Sequence, residues 1–219
     1  MQSEKKETGT KDISAIFVKM GLVILALSFL AFLLFYSPII IQEIKYAIEK
    51  PNVNSKVTLV KDISSQDQNK NIIIAADKEF SIVIPKIGAN SKVIKDVDPY
   101  NSKEYQQKLT LGVAHAKGTS LPGEFGNSFY FAHSSDNFYN ANKYNSVFYL
   151  LNKLNKGDLF YLIYNQQIFK YIVTDTKVVN ASDVDYLQGN KDKKTATLMT
   201  CWPAGTTLER YIVVGELQD

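Results

Sequence analysis

The sequence predicts an all-β domain, closed into a barrel, behind a single N-terminal transmembrane helix. Three observations carry that reading. From residue 72 onward, short runs rich in Val, Ile, Phe, Tyr and Thr alternate with turn residues, the signature of successive strands. Residues 20–42 form 23 positions without a charge. Between the two lies a polar stretch, 43–71, with neither pattern.

Composition narrows the classes first. The chain has 219 residues, 45% hydrophobic and 21% charged, which is globular and excludes wholesale disorder or a collagen-like repeat. A net charge of +3 is spread along the chain with no basic block, so no nucleic-acid partner is expected. Cys201 is the only cysteine, which excludes an internal disulfide and a multi-cysteine metal site. There is no glycine-rich dinucleotide fingerprint and no phosphate-binding loop.

The elements follow in chain order. Residues 1–19 read as a short tail. Residues 20–42 span roughly 34 Å as a helix, enough to cross the hydrocarbon core. Lys19 and Glu43 bracket this run, and Tyr36 sits where an interfacial aromatic is expected. A cleaved signal peptide is the rival, with Ala26-Leu27-Ser28 as the site, but the apolar run continues past it through Phe35. Lysines flank both sides equally, so charge does not set the orientation.

Residues 43–71 read as a stalk. Glu43–Glu49 continues a helix until Pro51 stops it, and Ser64–Lys70 reads as loop. The domain at 72–219 has candidate strands Phe80–Pro85, Ser91–Ile94, Ser128–His133, Asp158–Tyr164, Ile168–Val179, Ala196–Cys201 and Tyr211–Glu216. Asn165-Gln166-Gln167 reads as a hairpin turn. Asn145–Leu154 reads as a helix from the spacing of Val147, Phe148, Leu150, Leu151 and Leu154. Ser102–Leu109 is a second short helix.

The candidate chemistry gathers at strand ends. Cys201 closes an apolar strand and opens into Trp202-Pro203-Ala204-Gly205, a place to present a nucleophile or to finish a core strand. His133 ends another strand, and His115 lies in a glycine-bounded segment; either imidazole can serve a thiol. Arg210 is the only arginine among 25 basic residues. In a chain that otherwise uses lysine, it reads as a position where a planar fork serves and a point charge does not, with a surface salt bridge as the alternative.

Thr197-Leu198-Met199-Thr200-Cys201-Trp202-Pro203, followed by Arg210, resembles the T-L-x-T-C-x-P…R signature of sortases, membrane-anchored cysteine transpeptidases of mainly Gram-positive bacteria. Ile84–Asn90, Gly112–Asn127 and Phe131-Ala132-His133 resemble further family segments, and the likeness runs from about 78 to 217. It implies an eight-stranded β-barrel with His133, Cys201 and Arg210 as catalytic residues, and leaves His115 outside the triad. It implies Thr200 as a positioning or substrate-binding contact. Ser134 and Phe131 depart from the usual pattern, so the subclass and exact sorting motif are not assigned.

The resemblance implies two-step acyl transfer. The thiolate cleaves an L-P-x-T-G-like sorting signal of a secreted protein, and an amine of a peptidoglycan precursor or a pilin resolves the thioester. It implies an extracellular barrel on a single-pass cell-membrane anchor, with residues 1–19 cytoplasmic. No cofactor and no metal are expected; Asp183, Asp185 and Asp192 read as dispersed surface acids. Wall anchoring is the expected role, since residues 42–78 show no lid-like extension. The alternatives are a pilin-polymerising sortase, a membrane-tethered thiol peptidase with water as acceptor, and an anchored β-barrel binding module without activity.

Overall fold

The structure is a computed structural model, and it describes residues 7–49, 55–59, 72–134 and 147–218. The stop expected at Pro51, the loop expected over 64–70, and residues 135–137 and 145–146 lie outside these. The chain divides into two compact units, residues 1–45 and 46–219.

Helix α1 covers Glu7–Glu49. Its segment Ala15–Leu34 has a mean hydropathy of 2.5 and no burial within the protein, and it is long and apolar enough to cross a membrane. The helix continues through Pro38, which has no N–H to give the Leu34 carbonyl one turn back. The Ser37 hydroxyl donates to that carbonyl instead, at 3.0 Å.

Two short parallel strands precede the barrel: β1 (Lys56–Thr58) and β2 (Ile72–Ile74). Val57 of β1 packs with Ala75, Val83 and Ile163, so part of the stretch expected as a plain stalk is a strand. Val57 and Leu59 alternate for only one step, too short a pattern to mark a strand.

The barrel strands are β3 (Phe80–Ile84), β4 (Ala89–Val97), β5 (Val113–Ala116), β6 (Gly126–Phe131), β7 (Leu159–Tyr164), β8 (Gln167–Asn180), β9 (Lys194–Trp202) and β10 (Glu209–Leu217). They close in the order β10-β8-β7-β3-β4-β5-β6-β9, so the expected eight-stranded closed barrel is what the chain forms. The pairs β4–β5 and β6–β9 are parallel. Parallel neighbours need crossovers. Helix α2 (Ser102–Leu109) supplies the first and the β7–β8 hairpin lies within the second.

Local chemistry explains the joints. Asn101 caps α2 by accepting from the Glu104 N–H at 3.2 Å, and the Asn101 amide donates back to the Glu104 carboxylate. Asn165 and Gln166 both take positive φ, 47° and 63°, which the two-residue hairpin turn requires.

Where Asn145–Leu154 was expected to be an α-helix, the described part is a turn followed by a 3-10 segment, Leu151–Lys153. Phe148, Leu151 and Leu154 are all fully buried at a spacing of three. That is the 3-10 period, and bonds such as Leu154 N–H to Leu151 O at 3.1 Å follow it.

The interior is filled by Ile82, Ile84, Val93, Tyr130, Leu162, Leu198 and Val213 with their neighbours. A second cluster lies outside the wall, where α2 covers Val97, Ala114, Ala116, Phe129 and Phe131. Strands β5 and β6 are therefore buried on both faces.

Candidate active site

Three adjacent strands present the candidate residues. In β9, Ala196 and Leu198 point into the core, so Thr197, Met199 and Cys201 face outward. In β10, Tyr211 and Val213 join the core, so Arg210 and Ile212 face outward. Arg210 is registered directly opposite Cys201 in the antiparallel pair, which puts both side chains on one face.

β6 runs parallel to β9 on its other side, with Phe131 level with Met199. The alignment continues past the strand's end. The Ala132 N–H donates to the Met199 carbonyl at 3.2 Å, and the Thr200 hydroxyl donates to the Ala132 carbonyl at 2.9 Å. Ala132 belongs to the interior core and Phe131 to the outer cluster. One more step of the alternation turns His133 outward, level with Cys201. His133, Cys201 and Arg210 thus form one row across the outer face of the barrel.

All three are half-buried, the state in which a side chain is held by its surroundings and still open to a ligand. Cys201 is a free thiol. Arg210 is anchored through one nitrogen: Nη1 donates to the Thr207 carbonyl at 3.1 Å and the Glu209 carbonyl at 2.9 Å. The rest of the guanidinium has no partner among the described residues.

Thr200 is only 3% exposed and faces the interior, its hydroxyl bonded to Ala132. That geometry suits the positioning half of its expected role: it ties the backbone that carries His133 to the strand that carries Cys201.

His115 sits elsewhere. It is registered with Tyr130, on the inner side of the wall, and is fully buried between Phe80 and Tyr130. Its Nε2 lies 3.0 Å from the Ser120 carbonyl and 3.1 Å from the Thr119 hydroxyl. Its Nδ1 has no hydrogen-bond partner and lies 3.9 Å from an Asp96 carboxylate oxygen. Burial pushes its pKa below the usual histidine value, so the ring is neutral.

Sequence reasoning missed Tyr186, which lies in a 3-10 turn, Asp185–Leu187, between β8 and β9. Its ring stacks on Phe129 at 5.7 Å between centroids, and its hydroxyl donates to the Met199 sulfur at 3.6 Å. Burial pushes the phenol pKa up, and the nearby Arg210 charge pulls against that. A lone tyrosine in a polar loop has no periodicity to expose it. Among the described residues, no group of three His, Cys, Asp or Glu side chains is placed to hold a metal ion.

Comparison with known proteins gives the row a context. The Sortase domain family matches residues 82–218. Sortase D of Bacillus subtilis (strain 168) is 27% identical over 181 residues, covering 80% of this chain and 81% of that protein. The crystal structure of sortase C-1 from Actinomyces oris superposes with a TM-score of 0.56 at 33% identity, covering 66% of this chain and 76% of that one. Sortase C1 of GBS Pilus Island 1 superposes with a TM-score of 0.55 at 25% identity, covering 64% of each chain. A family match over more than half the chain, on a closed barrel of this order, makes this protein a member of the sortase family of cysteine transpeptidases.

Proposed function

We propose that His133, Cys201 and Arg210 are the catalytic residues of a transpeptidase that joins secreted proteins bearing an L-P-x-T-G-like signal to an amine of the cell-wall precursor. The observation that carries this is the alignment of Arg210 on β10, Cys201 on β9 and His133 two residues past the end of β6, on three neighbouring segments joined by hydrogen bonds. Strand-borne groups are held in a fixed relation, which acyl transfer requires.

The chemistry follows from the residue types. The Cys201 thiol gives its proton to His133, and Sγ attacks the Thr carbonyl carbon of the signal. Arg210 stabilises the oxyanion of the tetrahedral intermediate with N–H groups that Thr207 and Glu209 leave free. The C–N bond breaks as the His133 imidazolium gives its proton to the departing amine, leaving a thioester on Cys201. The acceptor amine loses a proton to His133 and attacks the thioester. The C–S bond then breaks, and the thiol is restored.

Helix α1, with its exposed apolar segment, supports membrane attachment, and membership of the family supports placing the barrel outside the cell. Enzyme, lipid-held acceptor and membrane-held substrate then share one surface. A second reading, pilin polymerisation, is favoured by the likeness to the sortase of GBS Pilus Island 1.

The test uses the full chain in detergent with L-P-x-T-G, L-P-x-T-A and L-A-x-T-G peptides, with and without excess amine, read by mass spectrometry. Cleavage after Thr with an amine-joined product, lost in Cys201→Ala, is the expected outcome. Replacing the free amine with a pilin lysine peptide separates the second reading. Hydrolysis that no amine diverts sinks the transfer step, and turnover that survives Cys201→Ala sinks the assignment of the nucleophile.

A further inference from the structure

We propose that Asn127, through a contact completed by Gly189, is the positioning residue that clamps the Val184–Gln188 segment beside Cys201 and so sets how tightly the acyl-donor peptide is held. The inference rests on the proposed catalytic row and adds to it the element that walls the row on the β6 side.

Asn127 is the second residue of β6, and its side chain is only 3% exposed. Its amide is used on both sides. Nδ2 donates to the Tyr186 carbonyl at 3.0 Å and to the Leu187 carbonyl at 3.2 Å. Oδ1 accepts from the Thr197 hydroxyl at 2.9 Å and the Thr195 hydroxyl at 3.2 Å. Two carbonyls can only accept, so the nitrogen must face the turn and the oxygen must face β9. Side chains of two strands and the backbone of a turn some 60 residues away meet on one amide.

Gly189 completes the contact from the other side. Its φ is +59°, and a Cβ there would lie 2.4 Å from the Asn127 Cβ. The turn's backbone therefore lies directly on the asparagine, in a space no larger residue fills. Among the described residues, the other backbone hydrogen bonds of this segment are local, such as Leu187 N–H to Val184 O at 3.0 Å, and do not tie it to the barrel.

What the clamp positions is Tyr186. With its backbone fixed by Asn127, the ring lies on Phe129, the hydroxyl reaches Met199, and Arg210 is near enough for its charge to be felt. Met199 is one outward step before Cys201 on β9, and Phe129 is two outward steps before His133. The turn thus stands over the same outer face as the row, where an extended peptide approaching Cys201 from β6 meets it. Asn127 touches no reacting atom.

The test is Asn127→Asp in the full chain. It keeps the shape and replaces a double donor with a carboxylate facing two carbonyls. Loss of the paired bonds is expected to raise KM for the sorting peptide about tenfold or more, with kcat within about threefold. Backbone amides of 184–189 should exchange faster, while those of β6 and β9 stay protected. Gly189→Ala attacks the same contact from the turn and should give the same split. The double variant should fall short of the product of the two single effects.

An unchanged KM in Asn127→Asp overturns the proposal, as does a parallel loss of kcat with general loss of exchange protection, which marks a purely structural asparagine. A wild-type chain without Cys201-dependent turnover overturns the catalytic reading instead. It removes the peptide-holding role, and the 184–189 exchange rates then decide the clamp alone.

Discussion

Arg210 shows what one side chain brings that its commoner substitute does not. Its Nη1 is held by two carbonyls, and the remaining N–H groups stay directed by the same rigid plane. A lysine ammonium has three N–H groups on one rotating nitrogen; two spent on Thr207 and Glu209 leave one, with no rigid plane to aim it at an oxyanion. Arg210→Lys is expected to lower kcat about a hundredfold or more with a small change in KM, in line with loss of an oxyanion donor. Equal turnover in the lysine variant, measured with the same peptide, removes Arg210 from the mechanism. His115 makes the opposite case, a histidine that serves the fold. Desolvation lowers its folded pKa, although the Ser120 carbonyl, Asp96 and Glu124 favour the charged form and Lys95 adds to the lowering. The unfolded chain takes up a proton near the ordinary value of 6.5, so below that pH it binds more protons than the folded chain does. Stability is therefore full above the unfolded pKa and declines as pH falls through it, by up to about 1.4 kcal/mol per unit. Urea midpoints between pH 7.5 and 5.5 should trace that decline, and His115→Gln should flatten it; an equal slope in the variant excludes His115 as its source. The residues of the proposed site could be picked out because rare types stand out: one cysteine, one arginine and two histidines leave few combinations. Asn127 and Tyr186 were not, because their roles depend on a carbonyl-to-amide contact across some 60 residues that no local spacing encodes.

At the scale of elements, the row exists because three strands keep one phase. A one-residue slip in any of them turns its side chain to the interior. Tyr130 in β6 and Ala132 just past its end, Leu198 in β9 and Val213 in β10 fix that phase from the inside, since each is buried in the core. The register of the proposed catalytic row is thus a by-product of core packing, and Thr200 adds a direct bond between β9 and the chain beyond β6. The same packing decided which elements the sequence could reveal. Strands β7, β8, β9 and β10 were legible from their Val, Ile, Tyr and Thr content, and α2 from its capped polar run. β5 was not, because Val113-Ala114-His115-Ala116 has little β-propensity and is a strand only because the barrel and the outer cluster bury both its faces. The 3-10 segment at Leu151–Lys153 was misread as α-helix because a short apolar run at three-residue spacing fits either period when it spans barely two turns.

For the whole molecule, the question is what the apolar helix adds to a barrel that already carries the row. The barrel unit, residues 46–219, has its own continuous core, against which Tyr46 near the end of α1 also packs, and it carries all three residues of the row. Under the proposed function, the Ala15–Leu34 segment, long and apolar enough to cross a membrane, sets where the chemistry occurs. Confinement to the surface that holds both substrates replaces two encounters in three dimensions with encounters at high effective concentration. Linked binding of this kind gains about 10²–10⁴ without any new contact. Deleting residues 1–45 is therefore expected to leave cleavage of a soluble peptide within about threefold of the full chain, because no residue of the row is touched. On vesicles carrying a helix-anchored substrate, the same deletion should slow turnover about a hundredfold or more. Grafting an unrelated transmembrane helix onto residue 46 should restore the vesicle rate, since the tether acts by location and not by sequence. If the graft fails while the soluble-peptide rate stays normal, α1 makes a specific contact with substrate or acceptor, and tethering alone does not explain it. If the deletion lowers both rates together, the helix supports the fold of the barrel, and the two units are not independent in function.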